Sequence, residues 1–245
     1  MRVIALVDLD DTLFQTIRKC PGDVAADALT PLAYAKTGEP LGFATPRQMA
    51  FLAWLSESAH VVPVTARSLD ALRRVRIPFA AAVCAHGGVV LGDDGEPDRA
   101  WAAHIADAAA AEAPVLDDLA AAVRVECADL AVRVLTEGST PLYVLVKHPG
   151  VDEAALHGAI DRMLHRVPPG WTVHRNGNNI ALMPPFLGKH AAVAHILPTL
   201  RARFPQASVL GFGDSVTDAP FMAMCDYAMM PTGSQLAAAS LGRHL

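Results

Sequence analysis

Asp8 and Asp10 stand two positions apart in Asp8-Leu9-Asp10-Asp11-Thr12, directly after the apolar run Val3-Ile4-Ala5-Leu6-Val7. Successive side chains of an extended chain point to opposite faces, so one further extended step aims both carboxylates the same way. Such a pair suits nucleophilic chemistry at phosphorus: one carboxylate forms an acyl phosphate and the other handles the leaving-group proton. Two close like charges also push one carboxyl pKa upward, which keeps a proton available for donation. A solvated acidic turn after a strand uses the same residues, so this segment alone does not separate the two readings.

Gly213-Asp214-Ser215-Val216-Thr217-Asp218 supplies two more carboxylates after a second apolar run. Several carboxylates gathered at one crevice repel unless a cation sits among them. Hard oxygen ligands together with a phosphate oxygen favour Mg²⁺. Asp8, Asp10, Asp214 and Asp218 are therefore the candidate ligands. Asp218 also reads as a helix N-cap ahead of Ala219-Pro220, and the two uses are compatible.

Two further positions suit an anion. Thr65 closes the run His60-Val61-Val62-Pro63-Val64 and precedes Ala66-Arg67-Ser68 and a helix. Its hydroxyl and the neighbouring N–H groups can hold phosphate oxygens, aided by the helix dipole, although a plain helix cap uses the same residue. Lys189 opens a helix whose apolar positions include Val193, Ile196, Leu197 and Leu200. A lysine there can neutralise a transferring phosphoryl group, and without an anion nearby a cation at a helix start is misplaced.

The elements that must position these residues follow from hydrophobic patterning. Val3–Val7, His60–Val64, Phe79–Cys84 and Ser208–Gly213 are nearly continuous apolar runs, as expected of strands buried on both faces of a parallel sheet. Helical patterns separate them. Thr45-Pro46-Arg47-Gln48 predicts a helix start, with Thr45 as N-cap, Pro46 at the first helical position and Gln48 completing a capping box. Strands alternating with helices predict an open α/β sheet, Rossmann-like, whose ligand crevice lies at the carboxyl ends of the strands. Asp8, Thr65 and Asp214 fall at those ends.

The stretch 93–185 has another pattern. A helical region from Arg99 to Arg124 is expected to break at Pro114. Strand-like runs Leu130–Leu135 and Leu142–Lys147 flank the turn Glu137–Pro141, and an amphipathic helix spans Asp152–Arg166. Two more runs, Trp171–His174 and Ile180–Met183, flank Asn176-Gly177-Asn178-Asn179. This predicts an α+β domain, 93–185, inserted into a core made of 1–92 and 186–245. Residues 17–44 read as a loop, a flap or short helices, with a lid of their own among the options.

The chain has 245 residues, 52% of them hydrophobic and 18% charged, enough for a sizeable core and unlike a disordered chain. The net charge of −5 argues against a nucleic-acid partner without excluding a metal-held anion. The four cysteines are scattered, with no Cys-x-x-Cys pair, so neither a disulfide framework nor a zinc site is expected. No stretch reads as a signal core or a membrane span, which leads to the expectation of a cytoplasmic protein.

Taken in order, Asp8-Leu9-Asp10-Asp11-Thr12-Leu13, Thr65, Lys189 and Gly213-Asp214 through Asp218 resemble the four motifs of the haloacid dehalogenase-like (HAD) superfamily. The resemblance covers the whole chain. The insertion is similar to the second type of cap, in its αββαββ version, as in Cof-type, sucrose-phosphate and trehalose-phosphate phosphatases and phosphomannomutases. The resemblance implies Asp8 as nucleophile and Asp10 as general acid/base. It also implies Mg²⁺ bound by Asp8, the Asp10 carbonyl and Asp214, helped by Asp218, and phosphate held by Thr65 and Lys189. Ala66 departs from a frequent Gly, and His86-Gly87-Gly88 from Asn-Gly-Ala. The expected activity is Mg²⁺-dependent hydrolysis of a small phosphorylated metabolite, such as a sugar phosphate. A phosphotransferase of the phosphomannomutase sort and a silent phosphate-binding module are the alternatives. Arg175 in the second domain and Arg67, with Ala66 beside it, are the candidates for contacting substrate; Lys147 and His148 are similarly placed.

Overall fold

The apolar run ahead of Asp8 becomes an inner strand of a parallel sheet, which is why nearly all of it is apolar. The computed structural model describes residues 3–242. It begins with β1 (Val3–Val7), β2 (Thr30–Tyr34), β3 (Pro40–Ala44), α1 (Pro46–Ser58), β4 (Ala59–Pro63), α2 (Leu69–Leu72), β5 (Ala82–Cys84) and β6 (Val89–Leu91). A middle stretch follows as α3 (Arg99–Glu126), β7 (Ala131–Glu137), β8 (Thr140–Lys147), α4 (Glu153–Met163), β9 (Thr172–Asn176) and β10 (Asn179–Met183). The chain continues through α5 (Lys189–Arg203), β11 (Val209–Phe212), α6 (Ala219–Met222), β12 (Tyr227–Met229) and α7 (Gln235–Ser240).

The chain divides into two compact units, residues 1–101 with 189–245, and residues 102–188. The expected boundaries at 92/93 and 185/186 thus fall at 101/102 and 188/189. Residues 93–101 stay with the first unit because Asp98 N–H donates to the Val90 carbonyl and Trp101 Nε1 donates to the Gly87 carbonyl.

In the first unit the sheet order is β12-β11-β1-β4, with every neighbouring pair parallel. Ile4, Leu6 and Val7 on β1 and Val62 on β4 are completely buried, as two covered faces require. The Phe79–Cys84 run differs from expectation. Only Ala82–Cys84 is strand, paired antiparallel with β6 and joined to the main sheet by a single parallel bridge, Val64 to Val83. The capping box of α1 forms as expected: Gln48 N–H donates to Thr45 Oγ1 at 3.2 Å and Thr45 N–H donates to Gln48 Oε1 at 2.9 Å. Such a cap contributes about 1 kcal/mol. Residues 17–44 hold two short 3₁₀ turns followed by the β2–β3 hairpin, whose Leu32, Ala33 and Ala44 pack into the core beside Phe14.

In the second unit the antiparallel sheet β7-β8-β10-β9 carries α3 and α4 on one face. Val144, Val146, Ile180 and Leu182 meet Leu116, Leu119, Val123, Leu156 and Ile160 there. The turns are tighter than expected, with two-residue loops starting at Gly138 (φ +58°) and Gly177 (φ +53°). A left-handed backbone at that position matches hairpin twist, and glycine adopts it without strain. Pro114 does not break α3, which runs unbroken from Arg99 to Glu126. A mid-helix proline costs about 3 kcal/mol. Buried Ile105, Ala109, Leu116, Leu119 and Val123 lie on both sides of it, and each large one contributes about 1.5–3 kcal/mol. Burial outweighs the lost hydrogen bond.

Candidate active site

The first unit collects the acidic residues where the strands end. Asp8 N–H donates to the Phe212 carbonyl at 2.9 Å, continuing the β1–β11 pairing by one residue. The chain then turns sharply: Leu13 N–H reaches the Leu9 carbonyl and Asp11 N–H reaches the Phe14 carbonyl. Asp11 takes a left-handed backbone (φ +64°), costing roughly 1–2 kcal/mol for a non-glycine residue, and its carboxylate pairs with Lys19. Thr12 Oγ1 lies between two carboxylates, 3.3 Å from Asp8 Oδ2 and 3.4 Å from Asp214 Oδ1.

The Gly213–Asp218 turn approaches from β11. A Cβ on Gly213 would stand 2.5 Å from Asp218 Cβ and 2.8 Å from Met222 Sδ, so only glycine lets the turn close. Asp218 stands at the N-cap position of α6, as expected, but its side chain makes no cap hydrogen bond. It reaches back instead, and Asp218 Oδ2 accepts from Asp214 N–H, Ser215 N–H and Ser215 Oγ. Lys189, first residue of α5, is buried by a stripe that continues through Ala192, Val193, Ile196, Leu197 and Leu200. Its Nζ donates to Asp8 Oδ1 and to Asp218 Oδ1, each at 2.6 Å. That pair of anions explains how a cation is accommodated at a helix start.

Carboxylate oxygens of Asp8, Asp214 and Asp218 all lie within 4.8 Å of one another. Burial pushes the Asp8 carboxyl well above its ordinary value, the pull of Lys189 notwithstanding. Burial, with the charges of Asp218 and Asp11, raises Asp214 to about 6. Burial also works on Asp218, but Lys189 and Ser215 hold it below the ordinary value. Lys189 is disfavoured by burial yet lifted above the usual lysine range by Asp8 and Asp218. Lys189 therefore balances one carboxylate well and leaves Asp8 and Asp214 short of positive charge. An all-oxygen set with that deficit fits a hard divalent cation. Asp218 accepts four short hydrogen bonds, whereas Asp8 Oδ2 and Asp214 Oδ1 accept only the longer ones from Thr12, so Asp8 and Asp214 are the more open donors and Asp218 orients them.

Asp10 is not part of that cluster. Its carboxylate is gripped by Arg67, with Nε to Oδ2 and Nη2 to Oδ1 both at 2.7 Å. The same guanidinium lies 5.2 Å from the centre of the Phe14 ring. Thr65 is fully buried at the end of the β4 segment, and Thr65 Oγ1 accepts from Arg67 N–H at 3.2 Å. The helix cap in this stretch is Ser68, which accepts from Ala71 N–H; Ala66 lies half-buried between Thr65 and Arg67. The left-handed run Ala85-His86-Gly87 braces the turn, Ala85 N–H donating to the Arg67 carbonyl and His86 N–H to the Thr65 carbonyl.

The second-unit candidates separate. Arg175 lies on the α4 side of its sheet, and its Nη2 donates to Asp161 Oδ1 at 2.6 Å. There it forms an ion pair with a carboxylate of its own unit. His148 accepts the N–H groups of Gly150 and Asp152 and shapes the turn into α4. Thr12 and Ser215 were missed as site residues. Thr12 lies inside the first acidic motif and Ser215 inside the last, but neither type signals a role from spacing.

No family model matches this chain, and no curated protein matches it by sequence. Among the described residues no helix is long and apolar enough to cross a membrane. Solved structures do match. A trehalose-6-phosphate phosphatase related protein is 18% identical, with TM-score 0.51 over 93% of this chain and 85% of that one. The C. albicans trehalose-6-phosphate phosphatase C-terminal domain is 13% identical, with TM-score 0.57 over 90% and 72%. The sucrose-phosphatase of Synechocystis sp., solved with sucrose and phosphate, is 15% identical, with TM-score 0.56 over 100% and 88%. A parallel core sheet, an αββαββ second unit and these neighbours together give the chain the haloacid dehalogenase-like fold.

Proposed function

We propose that the chain is a Mg²⁺-dependent phosphomonoester hydrolase acting through an aspartyl phosphate. The observation that carries this reading is the buried Asp8–Lys189–Asp218 arrangement beside Asp214, which presents one carboxylate to phosphorus with a cation on its flank. Uncatalysed phosphate-monoester hydrolysis is so slow that enzymes accelerate it by up to ~10²¹-fold, so charge neutralisation and positioning must contribute heavily.

In this reading an Asp8 oxygen attacks phosphorus, the bond to the leaving-group oxygen breaks, and Asp10 donates the proton that oxygen needs. Water then attacks the aspartyl phosphate, Asp10 takes its proton, and the Asp8 carboxylate is regenerated with release of phosphate. Asp8, Asp214 and the Asp10 carbonyl would hold Mg²⁺, with Asp218 orienting them. The ion supplies charge neutralisation at the phosphoryl oxygens. Lys189 and Thr65 hold the phosphate. Asp10 enters the cycle once its bidentate pair with Arg67 opens, and a phosphate dianion offers the guanidinium an equivalent two-oxygen acceptor.

Two of the structural neighbours are named for sugar phosphates, which supports a phosphorylated sugar or a similar polar metabolite as the substrate class. The test is phosphate release from a panel of phosphorylated metabolites with and without Mg²⁺, repeated with Asp8→Asn. Turnover should require the ion and fall at least ~10⁴-fold in the variant, which keeps its fold. Undiminished release by Asp8→Asn would remove the mechanism. Activity appearing only with an added sugar bisphosphate would favour the phosphotransferase.

A further inference from the structure

Phe14 has no part in the chemistry proposed above, yet it touches the pair that carries the proton. Its ring is completely buried, and the Arg67 guanidinium that grips Asp10 lies 5.2 Å from the ring centre. A cation over an aromatic face is attracted by the ring's quadrupole, so the ring helps to fix where the guanidinium rests. The backbone couples the same residues. Asp10 and Phe14 form a β-bridge, and Asp11 N–H donates to the Phe14 carbonyl at 2.7 Å.

The β2–β3 hairpin meets this ring. A Cβ on Gly42 would stand 2.7 Å from Phe14 Cδ2, 2.9 Å from Phe14 Cε2 and 3.0 Å from the Cβ of Ala33, its partner across the hairpin. Gly42 has no left-handed backbone to demand a glycine, so the space taken by the ring and by Ala33 is what excludes a side chain. The ring cannot retreat easily, because the next residue is clamped. Gln15 N–H donates to the Phe43 carbonyl at 3.0 Å, and Phe43 N–H donates to the Gln15 carbonyl at 2.7 Å. The side-chain amides of Gln15 and Gln48 exchange hydrogen bonds of 3.2 and 2.7 Å, and Gln48 is itself fixed by the capping box of α1.

We propose, resting on the phosphatase reading, that Phe14 is a positioning residue. Its ring, seated on Gly42 of the β2–β3 hairpin, holds Arg67 and through it the Asp10 carboxylate. The hairpin is then a brace for the proton-transfer group. Displacing the ring shifts the guanidinium and spoils the aim of Asp10, so the damage depends on the leaving group. An alkoxide needs the proton that Asp10 donates, whereas a nitrophenolate leaves without it.

The test is Gly42→Ala in the full chain, read in two ways. With Mg²⁺, kcat/KM for an alkyl phosphate is compared with kcat/KM for 4-nitrophenyl phosphate. Glucose 6-phosphate is the alkyl probe, or whichever member of the metabolite panel turns over faster. The loss on the alkyl phosphate should exceed the loss on 4-nitrophenyl phosphate by at least ~tenfold, and Asp10→Asn should show the same bias. Without substrate or Mg²⁺, the Arg67 Nε–H signal in nitrogen-edited NMR is assigned by its loss in Arg67→Lys. Its exchange with solvent should be at least ~tenfold faster in Gly42→Ala than in the unmodified chain. In a Phe14→Leu background Gly42→Ala should change either readout by no more than ~2-fold, because the ring that the methyl group pushes is gone.

Phe14→Leu alone should repeat both effects, and it replaces Gly42→Ala if melting temperatures show that variant unfolded. Equal losses on the two esters, an unchanged Nε–H exchange rate, or a full further loss in the double variant would overturn the proposal. An unmodified chain silent across the whole panel removes the phosphatase reading, and the Nε–H comparison then decides by itself whether Phe14 places Arg67.

Discussion

Lys189 Nζ lies 2.6 Å from Asp8 Oδ1, and both side chains are almost wholly buried. The same nitrogen is 2.6 Å from Asp218 Oδ1. A buried charge is tolerable only while its partners remain, so removing one cation strands two anions. Lys189→Met should destabilise the metal-free chain by about 3–5 kcal/mol at neutral pH. Denaturant unfolding checks this. The loss should shrink as pH falls, because burial biases Asp8 toward its neutral form and a neutral Asp8 needs no cation.

Arg67 fixes Asp10 through two parallel hydrogen bonds, a geometry that a lysine cannot reproduce. The guanidinium passes from Asp10 to the phosphate during the cycle, so Arg67→Lys should raise KM and lower kcat together, reducing kcat/KM by ~10²-fold. Steady-state kinetics on the best substrate found will show which constant moves. A change confined to KM would make Arg67 a substrate contact only.

The acidic cluster gives the metal-free chain an unusual pH dependence. A carboxyl whose folded pKa is raised favours unfolding once it ionises. Asp214 is raised to about 6 from an ordinary value of 3.8. Between those values the folded chain binds the extra proton, so stability falls as pH rises through the window. Asp214→Asn should flatten that fall and raise Tm near pH 7 by ~2–4 °C in the absence of Mg²⁺. Thermal melts from pH 4 to pH 7, with and without the ion, provide the measurement. Added Mg²⁺ should abolish the advantage of the variant.

Pro114 stands inside α3 without stopping it. Pro114→Ala restores a backbone donor and relieves the ring's clash with the preceding turn. The variant should be more stable by about 1–3 kcal/mol, with activity unchanged. A lower Tm would mean that the proline ring itself is packed to advantage.

Much of the fold is legible in the sequence because the signals are local. The capping box at Thr45 and Gln48 needs only its own four residues. The strand ahead of Asp8 announces itself because both of its faces are covered. The β7–β8 and β9–β10 hairpins follow from glycine between two apolar runs. The misjudged elements depend on distant partners. Proline propensity at position 114 is overridden by burial along both halves of α3. The 93–101 segment belongs with the first unit through Trp101 and Asp98, whose bonding partners precede them by several residues to more than a dozen.

The sequence by itself determined which residue types were available for phosphorus chemistry and the kind of strand or helix end that each occupies. Motif order supplied that much, since Asp8, Thr65, Lys189 and Asp214 each follow a local pattern. Only the tertiary structure decided their pairing. It bound Lys189 to Asp8 and Asp218, gave Asp10 to Arg67, and placed Thr12 between two carboxylates. It also turned Arg175 toward α4 and set Lys147 on the other face of that sheet. Such choices depend on which segments converge and which face of a strand a side chain takes, and a one-residue change of register reverses them all.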